Sequence, residues 1–508
     1  MAMYNVFLTG ATNAMGIWCL NRLLKDIDRQ TITILEQATE ANYQKLEPFS
    51  DISELTVRWG DLTSYEDIKA CVQKADIILH VGALDPSAAN RHPEQAMRVN
   101  YGSTQNIIRA IYESGGEHSK KLVYLSAAEG MGDRRLPIHW GRVGDPIKPS
   151  IYDYYAVSKV AAERAVIESG LTYWVCLRHA GIVAPILGKA NDPMLFYNGL
   201  DNAFEYLSDR DSGTALQHLC VHDRENRLPN AFWGHIYNLG GGSSCRTTTR
   251  DIYSALFRIR GIKNLANCID PKWYATRNFH GHYYLDSDKL ERHLRFRKDS
   301  MQVYYDDYVD MLGNQAKATR VLGKLPFGEK VLGSTLKNKF LKLARMPYGT
   351  LHFIEKNMQD HIAAYWGSKD AWEAIPAISA SSPSADDWDT VAPIHHGYDE
   401  SQPESALDLP AMQRAAEFRG GVCLSATMQT GSWNKQLRFR CAFGHEFSAS
   451  PRLVLEGGHW CDRCERESWN YHERARRDPF FAQVWTPLYG QDEQPRVYPK
   501  AVSEADVQ

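Results

Sequence analysis

The sequence lacks a charge excess. Its 58 Lys and Arg are met by 61 Asp and Glu, leaving a formal net charge of −3 over 508 residues, so no global pull towards nucleic acid or a membrane is implied. It also lacks any apolar run long enough to cross a bilayer, and the basic stretch with apolar core of a secretory signal is absent from its start. Cysteines are few, 10 in all, and Cys19, Cys71, Cys176 and Cys220 fall singly in apolar elements. That scatter argues against a disulfide framework, and a cytoplasmic location is expected. Apolar and aromatic residues are what the chain has in quantity: 44% are hydrophobic, with 13 Trp and 26 Tyr. The length exceeds what one compact core takes, so at least two domains are expected.

The stretch that organises the rest is Val6-Phe7-Leu8-Thr9-Gly10-Ala11-Thr12-Asn13-Ala14-Met15-Gly16. A short apolar strand runs into a turn of small residues and then a helix whose apolar face is Ile17, Leu20, Leu24 and Ile27. Gly10 permits a tight reversal, Gly16 lets the helix lie close to the strand, and the free N–H groups of the helix start suit a pyrophosphate. Asn13 stands where the dinucleotide fingerprint has its middle glycine; asparagine is the residue that best tolerates positive φ in its place. A second strand, Thr31 to Leu35, ends in Glu36, which follows Gly16 by 20 residues. That is the spacing of a carboxylate that binds the adenosine ribose hydroxyls, and its charge favours NAD over NADP by repelling a 2′-phosphate.

Strand and helix patterns then alternate. Leu55–Trp59 reads as a third strand ending at Gly60-Asp61-Leu62, Ala75–Val81 as a fourth running into Gly82-Ala83, Leu122–Leu125 as a fifth ending at Ser126, and Tyr173–Leu177 as a sixth, with a helix over Met97–Ile111. The fold class expected is α/β: a doubly wound parallel sheet of Rossmann type, with a smaller substrate lid and a C-terminal zinc-binding module.

Several motifs in this order carry a resemblance: Thr9-Gly10-x-x-Asn13-x-x-Gly16, Gly60-Asp61-Leu62, His80-Val81-Gly82-Ala83, Val99-Asn100-Tyr101-Gly102-Ser103-Thr104, Ser126-Ala127-Ala128, Tyr155-Ala156-Val157-Ser158-Lys159 and Leu177-Arg178. Residues 3–310 or so resemble the extended short-chain dehydrogenase/reductases, also called NAD-dependent epimerase/dehydratases. The resemblance implies that Asp61 and Leu62 border an adenine, Gly82 and Ala83 a cofactor ribose and phosphate, and Tyr155 and Lys159 the chemistry. The cofactor set read in this way is Gly10, Thr12, Asn13, Ala14, Met15, Gly16, Glu36, Asp61, Leu62, Gly82, Ala83, Asn100, Tyr155 and Lys159. It further implies a homodimer formed through the helices that hold Tyr155 and Asn100.

The Tyr155–Lys159 pair also has a direct argument. Four apart on a helix, the two share a face, so the ammonium can lower the phenol pKa and hold the nicotinamide ribose. A phenolate can then take a proton from a substrate hydroxyl as hydride leaves for the nicotinamide. Family members usually end the fifth strand with two hydroxyl residues, and here the pair is Ser126-Ala127. Aligned without a gap, Ala127 takes the catalytic slot; with one inserted residue, Ser126 does, and Ser126 is taken as catalytic with Glu129 as a polar substitute.

The domain reading is an NAD-binding domain over 1–315 with its lid mainly in 183–315, a basic helical segment over 316–376, a linker over 377–410, a zinc-ribbon-like module over 411–475 and a tail over 476–508. A strand near Ile236–Leu239 returns to the sheet. The run Leu177 to Pro185 lacks the asparagine of sugar-nucleotide members and is more similar to the reductase and hydroxysteroid-dehydrogenase branches. His179 there reads as a satisfied strand-end histidine or a pocket residue, and Trp273, Tyr274, Phe279, His280, His282, Tyr283 and Tyr284 as core or a substrate wall. In the basic segment, Leu332, Leu336, Phe340 and Leu343 form a stripe expected to dock on the enzyme domain with Lys324, Lys330, Lys337, Lys339 and Lys342 solvated; membrane or nucleic-acid contact is the alternative. Near the C-terminus Cys441 and His445 are followed by Cys461 and Cys464, with fifteen residues between His445 and Cys461. Two tight ligand pairs on separate knuckles suit a tetrahedral zinc site, with Cys423 an isolated thiol or alternate ligand. The expected function is an NAD-dependent oxidoreductase or epimerase on a small-molecule secondary alcohol or ketone, with no nucleic acid and no membrane span. The alternative is a dinucleotide-sensing binding protein whose zinc module contacts a partner.

Overall fold

Near-continuous apolar runs make strands that are buried on both faces, and seven of them pair in parallel. They are β1 (Tyr4–Thr9), β2 (Gln30–Glu36), β3 (Leu55–Trp59), β4 (Ile77–His80), β5 (Lys121–Ala127), β6 (Tyr173–His179) and β7 (His235–Leu239). The spatial order is β3-β2-β1-β4-β5-β6-β7, so the winding reverses between β1 and β4. The structure, a computed structural model, describes residues 3–183, 191–378, 385–466, 468–489 and 493–501. Ala184 and Pro185 of the run after β6 lie outside them.

Alternation along each strand divides the core in two. Val6, Leu8, Ile32, Ile34, Leu79, Val123, Leu125, Val175 and Leu177 pack against α1 (Ala14–Leu23) on one face. Phe7, Leu35, Ile78, Leu122, Tyr124, Trp174 and Cys176 face the other side, where α2 (Tyr65–Val72), α3 (Ser103–Glu113) and α4 (Tyr154–Ile167) lie. The doubly wound sheet is as expected. Part of the stretch read as lid is a structural layer of this core: α5 (Asp209–Arg224) lies beside α1, and its Ala215, Leu216, Leu219 and Cys220 join the first face.

The lid has its own core of Phe196, Tyr253, Phe257, Trp273, Tyr274 and Tyr308. The basic segment forms α6 (Asn314–Gly323) and α7 (Gly328–Ala344). Its stripe docks on the lid: Phe340 and Leu343 are buried, Leu332 and Leu336 half-buried, and the Phe340 ring meets Phe196 and Phe257 edge-on or tilted at 6.3 Å.

Beyond residue 408 the chain forms α8 (Leu409–Phe418), a small antiparallel sheet of β8 (Val422–Cys423), β9 (Leu437–Arg440) and β10 (Glu446–Ala449), and α9 (Asp462–Arg466), α10 (Tyr471–Arg477) and α11 (Pro479–Trp485). This part has no separate core. Met412, Ala415, Phe439, Leu453, Val454 and Trp460 share one apolar cluster with Ala162, Val166 and Ile167 of α4 and with Trp174, Cys176 and Ile236 of the sheet. The end of the stretch read as a zinc-ribbon-like module and the stretch read as a tail build a second contact: Trp469 and Tyr471 of the first and Phe480, Phe481, Val484 and Tyr498 of the second pack on Met97, Tyr154 and Val157, with Tyr101 and Ala161 at the margin. The stretch read as a linker is anchored too, since Ile394 and Leu407 are buried and His396 Nε2 meets Asp145 Oδ1 at 2.9 Å.

Helix α4 is therefore enclosed, with the sheet on one side and the C-terminal part on the other. Met97, Tyr154 and Val157, on the helices through which the resemblance implies a homodimer, pack on this chain's own C-terminal residues.

Candidate functional site

The glycine turn lies at the switch point between β1 and β4. Gly10 has φ +71°, and a Cβ there would lie 2.7 Å from Gly82 Cα; a Cβ on Gly16 would lie 2.0 Å from Gly10 O. Three backbones thus meet where no side chain fits, which leaves the turn's N–H groups open to a phosphate. Asn13 needs no positive φ. It is extended at φ −76° and caps α1, its Oδ1 accepting from Gly16 N at 2.6 Å, so the missing middle glycine is replaced by a helix cap. Ala14 is exposed, while Met15 is buried in the core beneath the turn.

Glu36 ends β2 against this turn. Its carboxylate accepts from Thr12 N at 3.0 Å and Thr12 Oγ1 at 3.1 Å. Burial raises its pKa, and the Thr12 and Ala11 bonds and Lys45 oppose that. Asp61 accepts from Thr63 N and Oγ1 at 2.7 and 2.8 Å, and Leu62 packs against Gly82. Thr9 Oγ1 accepts from Gly82 N at 2.8 Å. Ala83 leads into Leu84, whose N–H donates to Asn100 Oδ1 at 2.7 Å, while Asn100 Nδ2 donates to Ser158 Oγ at 2.9 Å. Buried Asn100 thus ties the loop after β4 to the helix that bears Tyr155 and Lys159.

On α4, Lys159 Nζ donates to Leu125 O at the end of β5 and lies 4.4 Å from the centre of the Tyr124 ring. Burial pushes this ammonium down to about 7, partly offset by Glu129. Tyr155 departs from expectation: burial and the charges of Glu129, Asp153 and Asp85 push its phenol well above the ordinary value. Burial is the largest of these causes, and the acids add to it.

Ser126 is held away from this chemistry. Its Oγ donates to Glu163 Oε2 at 2.5 Å within a buried network in which Glu163 also accepts from Arg178 Nη2 at 2.7 Å and meets His459 Nε2 at 3.1 Å. Arg178 and His459 hold the Glu163 carboxyl far below its usual range despite burial. Ser126, expected as the catalytic serine, is a strand-end member of this ion network, and Ala127 follows it without a hydroxyl. Glu129 is the polar group beside Tyr155. His280 Nε2 lies 3.6 Å from Glu129 Oε1 and its Nδ1 lies 3.7 Å from Asp153 Oδ2. Burial alone would lower the His280 pKa, but Glu129 and Asp153 together raise it.

Sequence reasoning placed His280 only in an aromatic group and missed Asp153, because pairing them with Glu129 requires the lid to fold back over α4. Trp273, Tyr274, Tyr283 and Tyr284 of that group are buried core residues, and Phe279 stacks on His280 at 4.2 Å. His282 of the same group is buried beside Tyr284, their ring centres 4.7 Å apart. His179 is satisfied, with Nε2 at 2.7 Å from Ser212 Oγ, and burial lowers it to about 4.

The C-terminal ligand pairs converge. Cys441 Sγ and Cys464 Sγ are 3.8 Å apart, and His445 Nδ1 is 3.6 Å from Cys461 Sγ and 3.3 Å from Cys464 Sγ. All four ligand atoms lie within 4.8 Å of one another. Two sulfurs bound at about 2.3 Å to a tetrahedral ion lie roughly 3.8 Å apart, so the donor set fits zinc. Cys423 is not in the cluster.

Residues 7–185 match the model of the 3-beta hydroxysteroid dehydrogenase/isomerase family. A vaccinia virus (strain Western Reserve) 3 beta-hydroxysteroid dehydrogenase/Delta 5-->4-isomerase is 26% identical over 199 residues, 36% of this chain and 53% of that protein. The Mus musculus 3 beta-hydroxysteroid dehydrogenase type 7 is 28% identical over 159 residues, 29% of this chain and 41% of that protein. The chain thus spans about half the length, or less, of these curated relatives. Among solved structures, a dTDP-glucose 4,6-dehydratase from Bacillus anthracis str. Ames in complex with NAD aligns with TM-score 0.49 and 16% identity, over 63% of this chain and 100% of that one. Over residues 7–185, the resemblance to the extended short-chain dehydrogenase/reductases carried by the motifs is borne out by the match to their hydroxysteroid dehydrogenase branch.

Proposed function

We propose that this chain is an NAD-dependent oxidoreductase or epimerase acting on a secondary alcohol or ketone, working in the cytoplasm, with a structural zinc centre of Cys441, His445, Cys461 and Cys464. The observation that carries the reading is the Asn100 bridge, 2.7 Å to Leu84 N and 2.9 Å to Ser158 Oγ, which joins the loop after β4 to the Tyr155 helix. The Gly10–Gly82–Gly16 cradle, where that loop meets the glycine turn, fits a pyrophosphate, and the Glu36 carboxylate beside Thr12 supports its reading as the partner of the adenosine ribose hydroxyls. When bound, NAD supplies the hydride acceptor or donor.

The chain's own residues handle the proton. Tyr155, held protonated, donates to a carbonyl oxygen on reduction and takes the proton back on oxidation. Lys159, fixed by Leu125 O, keeps its remaining N–H groups for the ribose. Glu129 and His280 stand where a serine would and polarise the substrate oxygen or relay its proton. The names of the relatives denote dehydrogenation of a 3-beta-hydroxy group, which supports the secondary-alcohol class. One observation favours the alternative of a dinucleotide-sensing binding protein: Ser126 Oγ is committed to Glu163. A screen of ketones and secondary alcohols followed at the nicotinamide absorbance tests the enzyme reading. Turnover of a panel member by the wild type, lost in Tyr155→Phe, is the expected result; no turnover across a broad panel, with NAD still bound, supports the sensor.

A further inference from the structure

Helices α6 and α7 form a hairpin whose inner side is pinned to the lid. Ala316, Phe340, Leu343 and Ala344 are buried, Arg320 Nε donates to Ile259 O at 3.0 Å, and Glu329 accepts from Asn264 N and Asn267 Nδ2 at 2.8 and 3.0 Å. The outer side has its own helical period. Lys317, Val321 and Lys324 recur at i, i+4 and i+7 along α6 and its C-cap, and Phe327, Lys330 and Val331 continue from the N-cap along α7. All six are exposed. Val321 is 63%, Leu325 54%, Phe327 77% and Val331 59% accessible, a concentration of large apolar side chains at one projecting tip. Phe327 is held at φ +62°, a backbone region costly for a bulky side chain and one that glycine would occupy freely. Within residues 314–345 there are eight Lys and Arg against one acid, Glu329, in a chain of net charge −3. That acid is turned inward.

We propose that this hairpin tip is a docking surface for an anionic phospholipid bilayer, into whose headgroup layer Leu325, Phe327 and Val331 insert while Lys317, Lys324 and Lys330 meet the lipid phosphates and carboxylates. The pattern is that of an interfacial contact: exposed apolar side chains with cations beside them. A second copy of the chain is disfavoured, because a two-fold contact would set the same cations against each other. A nucleic acid would engage the cations and leave the aliphatic side chains without a partner. Among the described residues no helix is long and apolar enough to cross a membrane, so the contact is with one face of the bilayer.

The test is co-sedimentation of the full chain with vesicles of phosphatidylcholine alone and with vesicles that also contain phosphatidylserine, with duplex DNA and sedimentation velocity as controls. The expected result is binding to the serine-containing vesicles only, released by salt, weakened about fivefold by each of Lys324→Gln and Lys330→Gln, and weakened more than tenfold by Leu325→Ser combined with Phe327→Ser. These side chains are exposed, so an unchanged melting temperature of each variant shows that folding is intact. Equal sedimentation with and without phosphatidylserine, no effect of the double variant, DNA binding without vesicle binding, or self-association that the double variant abolishes would each overturn the proposal.

Discussion

At the scale of single residues, the site turns on where protons are held. Tyr155→Phe keeps the ring and its packing, so NAD affinity measured by calorimetry should stay within a few-fold while hydride transfer falls by roughly 10²–10⁴. Glu129→Gln and His280→Asn should each lower turnover with little effect on NAD binding, since both groups lie beside Tyr155 and outside the glycine turn. Glu36 does two things. It braces Thr12 and, in the function proposed above, it binds the ribose, so NAD should bind more tightly than NADP by about 1–3 kcal/mol, and Glu36→Ser should narrow that gap while weakening both cofactors. Equal NAD and NADP affinities in the wild type would count against the role given to this carboxylate. The placing of Tyr155 and Lys159 on one helix and of Glu36 at a strand end was legible from spacing, because helix and strand periods fix which neighbours share a face. Asp153, His280 and the true partner of Ser126 were not, because nothing in local sequence records which side chain a distant loop brings to a strand end.

At the scale of elements, α4 is the member on which the molecule converges. Its Glu163 joins Ser126 and Arg178 of the sheet to His459 of the C-terminal part, and His459 Nδ1 in turn meets Glu465 at 3.3 Å. Glu163→Gln would leave the fully buried Arg178 without its counter-charge, a loss of about 3–5 kcal/mol that chemical denaturation would register. Cys461 and Cys464 of the proposed zinc centre lie in the same stretch, between His459 and Glu465. Purified protein should contain one zinc per chain by elemental analysis, and Cys461→Ser should lose it. Because Cys441, Cys461 and Trp460 belong to the apolar cluster that α4 shares, that loss should lower the stability of the dinucleotide domain as well, and one cooperative transition should shift rather than a separate small one appear. A zinc-free protein with unchanged melting would refute the structural role.

At the scale of the whole molecule, a face that family resemblance assigns to a second subunit is filled internally by Trp469, Tyr471, Phe480 and Phe481. The chain should sediment as a monomer in the absence of vesicles, and truncation before residue 411 should expose the α4 face and cause association or misfolding. A stable dimer of the full chain would have to use some other surface.

The sequence by itself determined the strands, the glycine turn, the carboxylate at Glu36, the Tyr155–Lys159 pair and the two knuckle pairs of the C-terminal cluster, because each is set by short-range periodicity or by ligand spacing within a few residues. Only the tertiary structure decided that Asn13 acts as a cap, that Ser126 bonds to Glu163, that His280 lies beside Glu129, and that Phe439, Trp460, Trp469 and Phe480 share apolar clusters with α4. Those outcomes depend on which apolar faces find each other across hundreds of residues. Burial is a property of the assembled chain, and it sets both the partners and the protonation of the groups it encloses.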